Sequence, residues 1–396
     1  MFIHSKPDRI SFKAYGQSTL MKYVKATTLY DGKTVRRNCY ISFDRNILEI
    51  TDEKPHDGEL VGEGTVTPGF IDGHSHIGMV RAGEPSSEDE SNEHMDNLYP
   101  MVRAADSVYM DDSAFKESVE NGVLYSTVLP GSGNTIGGRA SLLRNFRGNI
   151  QDAFVKDIGI KAALGYNPRS TTEWKGTRPN TRMGAMALLR ETLYKAQKTS
   201  NLMKKGRKDS DETDPLTEIF MDILSGKYKL MVHTHKEDDA NLLIGLKNEF
   251  GLKVVLNHGV DIHSTEAFRR IAQNNIPIVY GPMDSHPYKV ELKHESWRNT
   301  KYLLESGAKF CMMSDHPVIL QRTIFYTLRH LLRFGLTKEQ AISKITSETA
   351  SILGLDDLGT IEKGKLASLT VWNGDPFSLE SYPVNVFGEG DEVYSD

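Results

Sequence analysis

Six side chains of types that bind metal ions occur where strand-like segments end. They are His74, His76, His233, His235, His258 and Asp315. The first two close the segment GFIDGHSH, and the next two close VHTH, so one residue separates the members of each pair. Side chains alternate between the two faces of a strand, so both members of a pair point to the same side. Such a pair can chelate one metal ion.

The residue types limit the chemistry of the ion. Neutral imidazole and carboxylate suit Zn, and also Fe, Mn, Co or Ni. The two cysteines, Cys39 and Cys311, lie far apart and match no CxxC spacing, so a thiolate site is not indicated. We predict one divalent ion, Zn, which lowers the pKa of a bound water to about 7. Asp315 is then the candidate to accept and return the proton, and His258 the candidate either to bind substrate or to join the metal.

The segments that carry these residues alternate with longer helix-like patterns, which favours βα units around a parallel sheet. Helices are predicted at residues 182–197, 264–273 and 321–334. Eight strands are predicted at residues 67–76, 123–130, 140–146, 159–165, 229–235, 253–258, 276–281 and 309–315. In an eight-stranded βα barrel of the TIM type, reactive side chains lie at the carboxyl ends of the strands, and the six candidates fall on those ends.

Both ends of the chain show strand and turn signals without the helical pattern. Residues 20–60 contain TTLYDG, RNCYISF and ILEI, and the tail contains LGTIEKGKLASLTVWNGDPF. We predict that residues 1–66 and 355–396 form one small β domain, and that residues 67–354 form the barrel.

Composition excludes several classes of protein. With 38% hydrophobic and 26% charged residues and a net charge of −5, the chain has the make-up of a soluble globular protein. The basic residues form no stripe, so nucleic acid is not an expected partner. No apolar run reaches the roughly 20 residues of a membrane span, and the start MFIHSKPDRI has no secretory pattern. We expect a cytoplasmic protein that acts on a small molecule.

The pattern PGFIDGHSH, followed by histidines and an aspartate at later strand ends, resembles the amidohydrolase superfamily. The segments RAADS, LPGSGNTIGGR and SDHPVI are similar to its imidazolonepropionase-related subgroup. The resemblance implies a metal-dependent hydrolase barrel with a small β-sandwich built from both chain termini. It also implies hydrolysis of C–N bonds other than standard peptide bonds, and possible homo-oligomers.

Two positions depart from the family pattern. Ser368 stands where many relatives carry Asp, and Tyr166 in LGYNPR stands where relatives carry an acidic residue. Binuclear members use a carboxylated Lys or a Glu at that strand end, and Lys161 lies near the start of the predicted strand. We therefore favour one ion over two. The mononuclear pattern would use His74, His76, Asp315 and one histidine of VHTH, and the choice between His233 and His235 stays open.

Substrate contacts are predicted from the loops at the same end of the barrel. The candidates are Arg139, Tyr166, Asn167, Arg169 and His286. The glycines of residues 131–138 could cradle an anion through backbone N–H groups, or could form only a turn. The acidic run at residues 84–93 is either a lid or a solvated insertion.

The predicted reaction is attack of activated water on an amide-type carbonyl carbon. The substrate classes left open are cyclic amides, including imidazolone-like rings, and N-acyl or dipeptide compounds. A ring deaminase is a second hypothesis, with Glu237 as its weakly supported acid. A barrel without turnover that serves as a scaffold is the third.

Overall fold

The structure is a computed structural model, and it describes residues 21–169 and 178–396. Its strands are β1 (Lys22–Tyr30), β2 (Val35–Phe43), β3 (Ile47–Thr51), β4 (Glu59–Pro68), β5 (Phe70–Ser75), β6 (Val123–Val128), β7 (Ile136–Arg144), β8 (Phe154–Ala163), β9 (Leu230–Thr234), β10 (Val254–His258), β11 (Ile278–Tyr280), β12 (Phe310–Met312), β13 (Leu369–Trp372), β14 (Pro383–Gly388) and β15 (Asp391–Ser395).

The helices are α1 (Ser113–Glu120), α2 (Ile150–Ala153), α3 (Arg182–Lys204), α4 (Pro215–Ser225), α5 (Glu237–Phe250), α6 (Thr265–Gln273), α7 (Thr300–Ser306), α8 (Ile324–Arg333), α9 (Lys338–Ser343) and α10 (Ser347–Leu353). Single 3-10 turns lie at Ser86–Glu88, Ala104–Ser107, Ser210–Glu212, Val290–Leu292, Trp297–Asn299 and Gln321–Thr323. The three helices expected from sequence correspond to α3, α6 and α8. The helix α3 continues beyond its predicted end, and a 3-10 turn precedes α8.

Eight strands, β5 to β12, form one sheet in chain order. Every residue of β5, β6 and β9 to β12 is buried, as expected when helices cover the outside of a barrel and side chains fill its interior. Between β12 and β5 the sheet is closed by backbone contacts just past the strand ends. The Asp315 N–H donates to the His74 carbonyl at 3.0 Å, and the His76 N–H donates to the His316 carbonyl at 2.9 Å. The barrel is therefore nearly closed at the end where the candidate ligands lie.

The expectation of a parallel barrel is wrong at its third strand. β7 runs antiparallel to both β6 and β8. Parallel neighbours need a crossover of about a dozen or more residues, usually a helix. Residues 129–135 contain no helix, and residues 145–153 contain only the single turn α2, so both connections allow a direct reversal.

A second sheet joins the two ends of the chain in the order β15-β14-β13-β4-β1-β2-β3. β13 pairs antiparallel with β4, and Val24, Ile41, Val66, Leu369 and Phe387 lie in its buried core. As predicted, strands from both ends of the chain lie together. They form one sheet, however, and a β-sandwich is not confirmed. The domain boundaries remain predictions, and residues 1–20 of the small domain lie outside the described residues.

A hydrogen bond between Ser368 Oγ and the Tyr125 hydroxyl, at 2.8 Å, ties this sheet to the barrel. Among the described helices, none is long and apolar enough to cross a membrane.

Candidate metal centre

All six predicted ligands converge at the carboxyl end of the barrel. β5 carries His74 and is followed by His76, β9 carries His233 and is followed by His235, β10 ends at His258, and Asp315 follows β12. Their ligand atoms fall into two groups of three, each within 4.8 Å: His74, His76 and Asp315, and His233, His235 and His258.

In the first group, one carboxylate faces two imidazoles. Asp315 Oδ1 lies 3.4 Å from His74 Nε2 and 3.3 Å from His76 Nε2. His76 Nδ1 lies 2.7 Å from the Leu129 carbonyl oxygen, which can only accept, so Nδ1 carries the proton. The lone pair of His76 is therefore on Nε2, the nitrogen that faces Asp315.

The second group contains both histidines of VHTH, so the structure does not select one and reject the other. The three ring centroids lie 4.4 to 4.6 Å apart. His258 Nδ1 donates to the Gly281 carbonyl at 3.1 Å, which leaves a lone pair on Nε2. That Nε2 and His235 Nδ1 are both buried without a hydrogen-bond partner. Buried polar atoms rarely stay unpaired, so these two nitrogens fit an ion that they would bind directly.

The charge states also fit metal binding. Burial is the main cause that lowers the pKa of His74, His233, His235 and His258 well below the usual value, so these rings are neutral. Burial alone would raise the pKa of Asp315, but its close contacts with His258 and His76 lower it to about 2. The site thus holds free imidazole lone pairs beside an ionised carboxylate.

Two of the six ligands have a backbone conformation that side chains usually avoid. His258 has φ +81° and Asp315 has φ +53°. Non-glycine residues with positive φ are uncommon, and they cluster at functional sites where the surrounding fold holds them. The strain favours a functional role for these two residues.

Lys161 lies inside this cluster, contrary to the sequence interpretation. β8 ends at Ala163, earlier than predicted, so Lys161 is two residues from its end and not near its start. The side chain is fully buried, and its Nζ lies 3.2 Å from His74 Nε2. Burial lowers the pKa of Lys161 to about 7. Of the two reasons for expecting one ion, the position of Lys161 is therefore wrong, whereas Tyr166 does stand at this strand end without an acidic side chain.

Glu291 is the site residue that sequence reasoning missed. It is 2% exposed, lies on the loop between β11 and α7, and places Oε1 2.9 Å from His233 Nε2. Its Oε2 accepts the backbone N–H of Tyr166 at 3.0 Å. A carboxylate therefore does reach the end of the fourth barrel strand, but it comes from another loop. The surrounding sequence KVELKHE contains no spacing that could have identified it.

Among the residues predicted to contact substrate, Tyr166 and Asn167 lie beside Glu291, and Arg169 lies beside Tyr166. Tyr166 is 42% exposed and contributes its backbone N–H. With its amide nitrogen turned toward Glu291, Asn167 donates to Oε1 at 3.2 Å, and its oxygen accepts from Ser132 and Lys289. The Arg169 guanidinium lies 5.3 Å from the centre of the Tyr166 ring. The contact of these side chains with substrate stays a prediction.

The structure does not bring Arg139 to the ligands. Arg139 is paired in register with Ile160, whose side chain is on the outside of the barrel, and its guanidinium lies 3.9 Å from Asp157 and over the Tyr228 ring. His286 is exposed on the loop that carries Glu291. The expected acid of a deaminase, Glu237, pairs with Arg270.

The glycine-rich loop is occupied by another part of the chain. The Gly133 N–H donates to Asn92 Oδ1 at 2.8 Å, and the Gly131 N–H donates to the Ser91 carbonyl at 2.6 Å. A Cβ at Gly131 would lie 2.3 Å from the Asn92 amide, so glycine is required for this close approach. The loop therefore binds the end of the acidic run, and these two N–H groups are not available to an anion.

Comparison with known proteins shows what the chain is similar to. The model of the Amidohydrolase family matches residues 219–393. The chain is 26% identical over 363 residues to amidohydrolase tasK of Hapsidospora irregularis, a match that covers 84% of this chain and 36% of that protein. The chain thus spans about a third of the length of this curated relative.

Solved structures extend the likeness to nearly the whole chain. An amidohydrolase from Thermotoga maritima MSB8 has a TM-score of 0.85 and 29% identity, covering 95% of this chain and 100% of that one. A Xaa-Pro dipeptidase with bound methionine has a TM-score of 0.58 and 16% identity, covering 95% and 100%, and shows the fold alone. The imidazolonepropionase-related subgroup is not confirmed. The chain is similar to amidohydrolases, and the model of the Amidohydrolase family matches its residues 219–393.

Proposed function

We propose that the chain is a metal-dependent hydrolase that cleaves an amide-type C–N bond of a small molecule. The observation that carries the proposal is the convergence of five histidines and Asp315, with two buried imidazole nitrogens left unpaired by the protein. A scaffold without turnover would have no physical need for such a set.

The two groups of ligands support a centre for two ions. His74, His76 and Asp315 would hold one ion, and His233, His235 and His258 would hold the other. Lys161, beside His74, would be the candidate bridge if its neutral amine bonded carbon dioxide and lost a proton to form a carbamate. Imidazole and carboxylate ligands favour Zn. When bound, a divalent ion supplies a Lewis acid and a water of lowered pKa.

The protein's own residues would then move the proton. Water attacks the amide carbon, a C–O bond forms, and the C–N bond breaks. Asp315 accepts the proton of the attacking water and passes it to the departing nitrogen. Its ionised state and its position between His74 and His76 suit the first of these transfers. His258 is held by Gly281 next to this carboxylate, with Nδ1 4.0 Å from Asp315 Oδ2.

Cyclic amides, N-acyl compounds and dipeptides remain the candidate substrates. The fold neighbours include a Xaa-Pro dipeptidase, a prolidase complexed with n-methylphosphonate-l-proline, and a triazine hydrolase. We therefore propose a first screen with Xaa-Pro dipeptides and N-acyl amino acids, followed by imidazolone-like rings.

The test is hydrolysis by Zn-loaded protein, with wild type compared with His74→Ala and His258→Ala. The matched control is His56→Ala, because this histidine is exposed and lies between β3 and β4. We expect turnover in wild type and the control and its loss in the two site variants. Turnover that survives both site substitutions would overturn the proposal.

A separate variant tests the bridge. We expect Lys161→Met to lower the metal content below two ions per chain and to reduce turnover. Added short-chain carboxylic acid should restore part of the turnover. Metal content equal to that of wild type would contradict a bridging role.

A further inference from the structure

Glu291 is surrounded by donors from three parts of the chain. Oε1 lies 2.9 Å from His233 Nε2 and 2.8 Å from Lys289 Nζ, and the Asn167 amide nitrogen donates to it at 3.2 Å. Oε2 accepts from the Tyr166 backbone at 3.0 Å. The carboxylate is 2% exposed, so these contacts replace the water that it would otherwise bind.

This arrangement favours a hydrogen-bonding role over direct metal ligation. An ionised carboxylate has about two lone-pair positions on each oxygen. Lys289 Nζ and the Asn167 amide nitrogen already lie around Oε1, the oxygen nearest the histidines. An ion at Oε1 would have to displace the Lys289 or Asn167 contact, whereas a proton on His233 Nε2 fits the 2.9 Å distance directly.

We propose that Glu291 is a positioning residue that accepts the Nε2–H of His233 and so directs the other nitrogen, Nδ1, to the metal. A carboxylate behind a metal-binding histidine fixes which ring nitrogen carries the proton and how the ring is turned. This inference rests on the proposed function, because it presupposes that His233 binds an ion. Relatives carry an acidic residue where this chain has Tyr166. In the proposal, Glu291 on the loop between β11 and α7 supplies the carboxylate at this place.

Gly165 provides independent support for the position of Glu291. It has φ +88°, and a Cβ built there would lie 3.0 Å from Glu291 Oε2 and 3.0 Å from Asp239 Oδ2. The end of β8 therefore leaves room for two carboxylates in close approach. Arg182 binds Asp239 at 2.6 Å and Lys289 binds Glu291 at 2.8 Å, so each carboxylate has its own cation.

The experiment measures Zn affinity by competition with a chromophoric chelator, in wild type, Glu291→Gln and Glu291→Ala. Glu295→Gln is the matched control, because this glutamate lies on the same loop and hydrogen-bonds Ser285. We expect Zn binding about 10–100-fold weaker in the Glu291 variants, the usual effect of losing such a partner. At saturating Zn, the number of bound ions should equal that of wild type.

Two further measurements separate positioning from other roles. The visible spectrum of the Co(II)-loaded Glu291→Gln protein should keep the wild-type band positions, because no ligand is lost. A purely structural role would instead lower the melting temperature of metal-free Glu291→Gln, through loss of the pairing with Lys289, and leave Zn affinity unchanged.

Unchanged Zn affinity in both Glu291 variants would overturn the inference. Loss of an ion at saturating Zn, with altered Co(II) bands, would also overturn it, because Glu291 would then be a ligand. If Glu291→Ala does not fold, Glu291→Gln and Gly165→Ala carry the test, and both should weaken Zn binding. Absence of metal from wild type would instead refute the proposed function.

Discussion

Asp315 and Lys161 show how far individual residues can be interpreted from sequence. Asp315 could be predicted as a ligand because it closes the last predicted barrel strand, at the same end of the barrel as the histidine pairs. Lys161 was misplaced because β8 begins at Phe154, five residues before its predicted start, and ends at Ala163, two residues before its predicted end. A shift of this size changes which side chains belong to the site. Glu291 could not be predicted, because loop geometry and not strand periodicity brings it to His233.

At the residue scale, we predict that Asp315→Asn lowers kcat by about 10²–10⁴-fold, because an amide cannot accept the proton. The measurement is steady-state hydrolysis of the best substrate from the screen. Asp356→Asn, an exposed substitution of the same kind, is the control and should be neutral. A loss of less than tenfold would show that another group accepts the proton.

At the scale of elements, a buried carboxylate joins the first and last barrel strands. Asp72 on β5 accepts the Ser314 backbone N–H at 3.0 Å, the Gln321 amide at 3.0 Å, and the hydroxyl of Ser314. It also accepts the His74 N–H at 3.2 Å. Asp72 thus fixes the backbone next to His74 and Asp315. The sequence could predict both strands, but not the polar contacts that close the gap between them.

We predict that Asp72→Ala destabilises the fold, because each buried donor left without an acceptor costs about 1–3 kcal/mol. Urea unfolding of metal-free protein measures the change, and Asp356→Ala is the exposed control. Stability equal to that of wild type would show that the two strands are held together without Asp72.

Glu295 lies on the same loop as Glu291, between β11 and α7, and its carboxyl group should make the stability of the fold depend on pH. Burial raises the pKa of Glu295 to about 7, with Asp284 and Asp261 adding to the effect and Ser285 opposing it. The folded state therefore binds this proton more tightly than the unfolded state. The resulting stability is present below the ordinary pKa of 4.5 and is lost as the pH rises through about 7.

We accordingly predict that Glu295→Gln gains stability relative to wild type as the pH rises from about 5 to 8. Thermal unfolding of the two proteins across this range measures the difference. A difference that does not depend on pH would contradict the raised pKa.

At the scale of the whole molecule, the candidate ligands connect distant parts of the barrel. They come from β5, β9, β10 and the end of β12, which are separated in sequence by up to 241 positions, from 74 to 315. The alternation of strands and helices was enough to predict a barrel, and the strand and turn signals at both ends of the chain were enough to predict that the two ends join. The reversed direction of β7 was not predicted, because direction depends on connections whose structure the strand pattern does not specify.

We predict that chelation of bound metal lowers the melting temperature of wild type. An ion that binds only the folded state stabilises it by about 2.7 kcal/mol when its free concentration is 100 times its Kd. His74→Ala should show a smaller change on chelation, and His56→Ala should behave as wild type. Equal melting temperatures of wild type with and without chelator would contradict metal-linked stability.

The most direct test of the account is the metal content of the protein. Elemental analysis would compare protein purified without added metal, and again after loading with Zn, for wild type, His74→Ala, His258→Ala and His56→Ala. We predict that wild type and His56→Ala retain up to two divalent ions per chain and that the two site variants lose metal. Wild-type protein that binds no ion even after loading would contradict the central claim.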